Sequence, residues 1–175
     1  IRHIRTPAQI NLHDVFSLVV VNRGQHSGQH ILGGVIVRCA GSARAMREAI
    51  AASGLKPRDV TFINAHGTAT PTNDTVESRV VRDIFGDYRV PLTSLKGAIG
   101  HCMGAASAIE AVSCVLSIVH GVIPPTLNFE TLDPVCDVDV VTTSTSCDVD
   151  VVLNNSLAFG GYDAVVTFAK PGRLP

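Results

Sequence analysis

The stretch SLKGAIGHCMGAA, residues 94–106, is the part of this chain from which the rest is best understood. A strand-like run, Val90–Leu95, leads into it, and a proline-free run of small and apolar residues continues to about Val119. Loose helical spacing of the apolar side chains predicts a buried helix from Cys102 onwards. His101 would lie at the helix N-terminus, where the helix dipole disfavours imidazolium. A neutral imidazole can donate a hydrogen bond to a developing oxyanion.

A membrane span is the competing interpretation of this apolar run. Glu110 lies near its middle and His120 near its end, and a carboxylate at the centre of a span is unfavourable. We therefore expect the core helix of a soluble, cytoplasmic protein, without a membrane span.

A second motif, NAHGTATP at residues 64–71, follows the apolar run Val60–Ile63. A strand there would place His66 at its C-terminal end, which is where ligands bind in open α/β sheets. Thr68 and Thr70 have one residue between them, so both hydroxyls can face the same side of an extended loop.

Hydrophobic patterning predicts strands that alternate with helices, and therefore an α/β fold with parallel βαβ units. Ser42 is a plausible N-cap for the first helix. Asp74 and Glu77 fit a capping box for the second helix, a structural role that requires no catalytic function. A Gly-Gly pair at 160–161 predicts a hairpin between the last two strands. The expected helices are 43–53, 74–85 and 102–119; the expected strands are 16–21, 35–37, 60–66, 90–95, 137–141, 148–154 and 164–168; residues 124–134 are expected to form a surface connection.

The composition narrows the possible function classes. Of the 175 residues, 46% are hydrophobic and 17% are charged, which is typical of a well-buried α/β protein rather than a disordered chain. The net charge of −1 gives no electrostatic basis for binding nucleic acid or an anionic membrane. Five cysteines without a Cys-x-x-Cys pair indicate reduced thiols in a cytosolic protein.

Together with NSLAFGG at residues 155–161, the two motifs resemble those of the β-ketoacyl-acyl-carrier-protein synthases, decarboxylating condensing enzymes of the thiolase superfamily. Three motifs occur in that family's order: His-Gly-Thr-x-Thr-Pro, Lys-x-x-x-Gly-His and Asn-Ser-x-x-Phe-Gly-Gly. The resemblance covers only the C-terminal half of such an enzyme. It implies a thiolase-like α/β domain over residues 41–170, built on a mixed sheet with a buried long helix. Residues 1–40 stay unassigned, and residues 171–175 are a tail.

The resemblance also implies a set of residues around a decarboxylation step. Two histidines stabilise the enolate that forms when malonyl-carrier protein loses carbon dioxide, and a lysine and an acid order them. A gating aromatic contributes its backbone N–H to the oxyanion hole, and two threonines hold the phosphopantetheine arm. By position, the catalytic residues are His66, His101, Lys96, Glu110 and Phe159, and the phosphopantetheine-binding residues are Thr68 and Thr70.

The same resemblance implies acyl carrier protein as a partner, because the substrate is carried on that protein's phosphopantetheine; it implies no cofactor and no metal. The family's nucleophilic cysteine lies in the N-terminal half, and none of the five cysteines here stands in its small-residue motif. The complete enzyme would be an acyltransferase, but this chain alone is predicted to be inactive. Because the chain begins at Ile1, we expect a missing N-terminal half, or a partner ketosynthase subunit, to complete it, and the resemblance implies a dimer for the complete enzyme.

The sequence also departs from the family pattern around the third motif. Leu157 and Ala158 stand where family members usually carry Phe and Gly. Tyr162 and Asp163 stand where they usually carry small or amide residues. A β-carbon at Ala158 restricts a backbone that glycine leaves free, which bears on gating by Phe159.

Three interpretations remain open. The chain is the C-terminal part of a ketosynthase of fatty acid or polyketide biosynthesis, a non-catalytic partner of the chain-length-factor kind, or an unrelated metalloprotein using His66, His101 and a carboxylate. Retention of His66, Lys96 and His101 together favours the first over the second, because a non-catalytic partner does not need a decarboxylation set. The third lacks a recognised ligand spacing.

Overall fold

The computed structural model describes residues 17–22, 34–158 and 161–175 of the chain. Its main element is a mixed six-stranded sheet with the strand order β1-β8-β7-β2-β3-β5, and β4 and β6 form a separate two-stranded ribbon. The strands are β1 Ser17–Asn22, β2 Phe62–Asn64, β3 Pro91–Thr93, β4 Val122–Ile123, β5 Asp139–Val140, β6 Thr145–Ser146, β7 Val151–Ala158 and β8 Tyr162–Ala169. The helices are α1 Gly34–Ala52, α2 Pro71–Phe85, α3 Lys96–Ile99 and α4 Ala106–His120, with short 3-10 turns at Pro57–Asp59 and Met103–Ala105.

The centre of the sheet is parallel and one side of it is antiparallel. β2 pairs in parallel with both β3 and β7, and β3 pairs in parallel with β5. β7 and β8 form the antiparallel hairpin that the sequence predicts, with Ala158 opposite Tyr162, and β8 pairs on its other side with β1. The expected α/β class with a mixed sheet is therefore confirmed.

Helices pack on both faces of this sheet. Consecutive strand residues point to opposite faces, so neighbouring residues of one strand contact different helices. Ile63 and Leu153 belong to the apolar cluster formed with α1 and α2. Their neighbours Phe62 and Val152 belong to the cluster formed with α4. The result is three layers around two apolar clusters, with the sheet in the middle.

The first helix begins earlier than the sequence predicts. Residues 35–37 were expected to form a strand, but α1 starts at Gly34 and runs through them. Their β-branched side chains favour a strand only weakly, and tertiary context overrides such preferences. The expectation that Ser42 caps a helix is also wrong: Ser42 lies inside α1, and its Oγ donates a hydrogen bond to Asp163 Oδ2 on β8 at 3.0 Å.

The long apolar helix is covered on one side only. The buried residues of α4 are Ala106, Glu110, Cys114, Ser117 and Ile118, whereas Val112 and Leu116 are 59% and 47% exposed. The sequence of this helix is apolar nearly all round, which is the pattern of a helix buried on every side. A C-terminal half on its own is expected to leave part of that surface uncovered, and the exposure of Val112 and Leu116 agrees with this expectation. By length and composition alone, Met103–His120 could also cross a membrane. Its central Glu110, however, is 1% exposed and ion-paired inside the protein.

Candidate active site

The predicted site residues meet where two neighbouring parallel strands end. Asn64, the last residue of β2, lies opposite Thr93, the last residue of β3. His66 follows β2 by two residues and Lys96 follows β3 by three, so the register of the sheet places the two side by side. Lys96 Nζ lies 3.5 Å from His66 Nδ1.

The lysine is buried together with a carboxylate. Lys96 Nζ donates a hydrogen bond to Glu110 Oε1 of α4, and both side chains are almost fully removed from solvent. Burial raises the pKa of Glu110, and the bond from Lys96 opposes that shift. Of the described groups, none hydrogen-bonds Glu110 Oε2. The structure therefore brings together the lysine and the acid that the family resemblance assigns to this site.

The two histidines lie close together, as the sequence predicts. The ring centroids of His66 and His101 are 5.6 Å apart and the ring planes are nearly perpendicular. The backbone N–H of Met103 donates to His101 Nδ1 at 3.1 Å. Since Nδ1 of a neutral imidazole that accepts a bond carries no proton, the proton is assigned to Nε2. A lysine donor at Nδ1 assigns His66 the same tautomer.

The environment of His66 keeps its ring neutral. Burial, the ammonium of Lys96 and the neighbouring His101 together lower the pKa of His66 from 6.5 to about 4. At neutral pH the ring is therefore an uncharged N–H donor. The arrangement as a whole can present two N–H donors, backed by a buried cation, to an oxygen that gains negative charge.

Sequence reasoning missed the residue that holds the His66 backbone. Glu77 was expected to take part in a capping box, but α2 has Thr70 as its N-cap, with no side-chain capping bond. Instead, the Glu77 carboxylate accepts the backbone N–H groups of His66 at 2.8 Å and Gly67 at 3.0 Å. The sequence did contain a feature that could have indicated this role. Glu77 stands between Val76 and Val80 on the buried face of α2, and a carboxylate on a buried face needs a hydrogen-bonding partner there.

The two threonines come together, although the loop between them is not extended. Thr68 Oγ1 and Thr70 Oγ1 are 3.0 Å apart. Ala69 has a φ of 56°, in the left-handed region that L-residues seldom adopt. This local bend, rather than strand alternation, brings both hydroxyls to one side.

A cleft of about 630 Å³ opens beside these residues. The residues that line it include Thr68, Lys96 and His101, together with the apolar residues Leu92 and Val140. Residues 126–133, which belong to the expected surface connection 124–134, also line it. Hydrogen bonds tie this segment to its neighbours in the fold. Thr93 Oγ1 donates to the Pro124 carbonyl and Ser94 N–H donates to Thr126 Oγ1. The Thr126 N–H donates to the Val141 carbonyl, and Asn128 Nδ2 donates to the Gly97 carbonyl.

Gly97 shows how tightly the segment is seated. A β-carbon at Gly97 would lie 2.2 Å from the backbone oxygen of Leu127. No side chain fits there without displacing the backbone of the connecting segment, so the cleft wall depends on a glycine directly after Lys96.

Two further expectations concern Phe159 and the cysteines. Phe159 lies outside the described residues. Of the described thiols, Cys114 and Cys136 are buried, and Cys102 is partly buried beside the Ile99 carbonyl. Burial raises the pKa of Cys39, Cys114 and Cys147, which is opposite to the change that activates a thiol.

The metalloprotein interpretation finds no support in the part of the chain that the structure describes. Within residues 34–158 and 161–175 no group of three or more His, Cys, Asp and Glu side chains is placed to hold a metal ion. His66 and His101 have a lysine, not a third ligand, as their near neighbour.

Comparison with known sequences agrees with the motifs. The family model of the beta-ketoacyl synthase C-terminal domain matches residues 19–130. Nodulation protein E of Rhizobium leguminosarum bv. trifolii is 42% identical over 132 residues, which are 74% of this chain and 33% of that protein. The 3-oxoacyl-[acyl-carrier-protein] synthase 2 of Synechocystis sp. is 44% identical over 133 residues, which are 74% of this chain and 32% of that protein. The chain thus spans about a third of the length of these relatives.

Solved structures agree on the fold. A chain in the structure of the ishigamide ketosynthase/chain length factor is 43% identical to this chain with a TM-score of 0.74. The match covers 77% of this chain and 34% of that chain. A chain in the structure of a type II polyketide synthase acyl carrier protein in complex with its ketosynthase also matches. It is 30% identical to this chain with a TM-score of 0.76, and the match covers 89% of this chain and 38% of that chain. These likenesses confirm the fold class expected from the sequence.

Proposed function

Because the chain belongs to the family of β-ketoacyl synthase C-terminal domains, we propose that it supplies the decarboxylation site of a condensing enzyme. The reaction joins malonyl-acyl carrier protein to an acyl thioester in fatty acid or polyketide biosynthesis. Residues 41–170 are the part of the chain assigned to this site, with residues 171–175 as a tail. The strand β1 and the start of α1, which precede residue 41, belong to the same fold.

The observation that carries the proposal is the pair of neighbouring imidazoles, 5.6 Å apart, beside the buried Lys96. When the malonyl thioester loses carbon dioxide, the electrons of the broken C–C bond move onto the thioester oxygen and form an enolate. The Nε2–H groups of His66 and His101 donate hydrogen bonds to that oxygen. The enolate carbon then attacks the acyl thioester and expels the enzyme's thiolate. Preorganised donors stabilise such charge best where water is excluded.

The remaining roles follow the same proposal. Lys96 and Glu110 order the two rings, Thr68 and Thr70 hold the phosphopantetheine arm, and Phe159 gates the site. The nucleophilic cysteine is supplied by a ketosynthase N-terminal half or partner subunit, and acyl carrier protein delivers the substrate without any further cofactor. The assembled enzyme is cytoplasmic, and this chain alone catalyses no condensation.

A chain-length-factor-like partner is the second candidate, because one similar structure contains such a subunit. A subunit of that kind would act by contact and would not require a neutral imidazole near a buried lysine. The depressed pKa of His66 and its contact with Lys96 favour the catalytic proposal.

A chimeric enzyme tests the proposal. The matching 133-residue region of the Synechocystis synthase would be replaced by this chain's sequence, which restores an N-terminal half. We expect release of carbon dioxide from malonyl-acyl carrier protein, with a loss on the order of 100-fold or more in His66→Ala and His101→Ala. Asp83→Asn, an exposed change on α2, is the matched control. A folded chimera whose decarboxylation does not depend on either histidine would contradict the proposal.

A further inference from the structure

The end of the chain, which includes the stretch expected to be a tail, is attached to the fold. We propose that residues 170–175 form a C-terminal strap, which fastens the end of α1 to the start of β7 at the edge of the sheet opposite the candidate site. This role is independent of the proposed function.

The strap turns back on the domain directly after the last strand. β8 ends at Ala169, and Pro171 and Gly172 follow Lys170. The Arg173 N–H donates to the Lys170 carbonyl at 3.2 Å, and Gly172 has a φ of 80°. Proline followed by a glycine of positive φ is the signature of a type II turn. The residues after this turn are therefore directed against the fold and not away from it.

Asp150, the residue before β7, binds the strap with its backbone and its side chain. Its carbonyl accepts the Lys170 N–H at 2.9 Å. Its carboxylate accepts Lys170 Nζ at 3.1 Å and pairs through the other oxygen with Arg173. Burial raises the pKa of Asp150, but the hydrogen bonds from Lys170 and Arg173 outweigh it, so the pKa lies below its ordinary value. The carboxylate is thus an anion held between two cations of the strap.

The same aspartate is fixed to the start of β2. The N–H groups of Asp150 and Val151 donate to Thr61 Oγ1 at 3.1 and 3.2 Å, and the Thr61 N–H donates to the Val151 carbonyl at 2.8 Å. Thr61 precedes β2, whereas His66 follows the other end of that strand. The strap is therefore attached at the end of the sheet that lies away from the candidate site.

The last two residues contact the apolar core and the end of α1. Leu174 is partly buried and packs against the apolar cluster formed with α1 and α2. Pro175 lies over Gly54, where a β-carbon would be 3.4 Å from the proline ring. Burial of an apolar side chain stabilises a fold more than an exposed ion pair does. We therefore expect Leu174 to contribute more to the strap than either charged residue.

Thermal unfolding at one fixed protein concentration tests the strap. We expect a chain that ends at Lys170 to unfold about 5–10 °C below the unaltered 175-residue chain, and Leu174→Ala to account for most of that shift. Gly172→Ala should give a smaller loss, because alanine is strained at its positive φ although no atom would lie within 4 Å of the new β-carbon. Gly104→Ala is the matched control, since its β-carbon also meets nothing within 4 Å and its φ is not positive. Shortened and Leu174→Ala chains that unfold within about 1 °C of the unaltered chain would overturn the proposal.

Amide exchange shows whether the effect is confined to one end of the sheet, and it decides if the shortened chain does not fold. In Gly172→Ala we expect the Lys170 and Arg173 amides to exchange on the order of 10-fold faster. The Ala65 amide, which donates to the Thr93 carbonyl at the site end of β2, should exchange at its unaltered rate. Acceleration at both ends of the sheet, or at neither, would overturn the proposal. Neither measurement depends on decarboxylation, so a failed chimera assay leaves this inference standing.

Discussion

The two helix layers of this molecule present opposite surfaces to solvent. On one side of the sheet, α1 and α2 bury apolar residues and expose charged ones, such as Arg47, Arg79 and Asp83. On the other side, α4 buries Glu110 and exposes Val112 and Leu116. The first layer is an ordinary water-facing surface. The second has the character of a protein interior, which marks an interface or an aggregation liability.

The candidate site also has one buried side and one exposed side. His66 and Lys96 are held by the covered parts of the fold, through Glu77 on α2 and Glu110 on the inner face of α4. His101 is exposed and is followed by Met103, which is 76% exposed and has a left-handed φ of 50°. The His66 side of the site is therefore the more enclosed one, and the His101 side is exposed to solvent.

The largest expected effect concerns that apolar face. We predict that the unaltered chain self-associates or aggregates at low micromolar concentration, because the exposed stripe is removed from water on contact. The double variant Val112→Lys/Leu116→Lys should shift the sedimentation profile to monomer, whereas Arg79→Lys/Arg82→Lys on α2 should not. Analytical ultracentrifugation measures this. A sharp monomer of the unaltered chain, with a cooperative thermal transition and no dye binding, would mean that the chain covers its own core.

The next effect concerns the buried ion pair behind the histidines. Lys96→Met leaves the Glu110 carboxylate buried without its partner, so we expect a loss of about 3–5 kcal/mol in the free energy of unfolding. Lys96→Met/Glu110→Met should recover much of that loss, since replacing both charges is often neutral. Glu48→Gln, which breaks the exposed pair with Arg44, should cost less than about 1 kcal/mol. Urea denaturation compares the four proteins, and a double variant no more stable than Lys96→Met would argue against the pair.

A smaller effect is pH dependence from His66. The pKa of His66 is about 4 in the folded chain against an ordinary 6.5. Between pH 6.5 and pH 4 the unfolded state therefore binds a proton at this imidazole that the folded state does not bind. Stability should therefore fall as the pH drops through that window, by at most about 3 kcal/mol and less where solvent screens the ring. In His66→Gln this component should vanish. Glu77 and Glu110, whose raised pKa values act in the opposite sense, are present in both proteins and cancel in the comparison. Equal pH dependence of the two proteins would contradict the assigned pKa.

Much of the fold could be predicted from local patterns. Alternation and the Gly-Gly pair predict the β7–β8 hairpin, and the two parallel strands before His66 and Lys96 follow from buried runs that end in polar motifs. Parallel neighbours bring their C-terminal ends together, which is why the histidines and the lysine could be expected to meet.

What could not be predicted depends on contacts between distant residues. The capping pattern at Glu77 is a local rule, but the carboxylate binds the backbone of residues 66 and 67 from the preceding loop. Ser42 likewise fits a local cap, yet it pairs with Asp163 from β8, beside a Gly41 whose β-carbon would lie 2.7 Å from that carboxylate. Similarly, the uniformly apolar sequence of α4 predicts full burial without indicating what would cover its outer face.

The proposed division, with hydrogen-bond donors in this chain and the nucleophile in another segment or subunit, is tested most directly by acyl transfer. The isolated chain and the chimera would each be incubated with a radiolabelled acyl thioester and separated by denaturing electrophoresis. We predict no stable label on the isolated chain, because none of its cysteines stands in the family's nucleophile motif and burial raises the pKa of the Cys39 and Cys114 thiols. On the chimera we predict label only in the Synechocystis portion. Stable labelling of the isolated chain, abolished by replacing one of its five cysteines, would contradict the account.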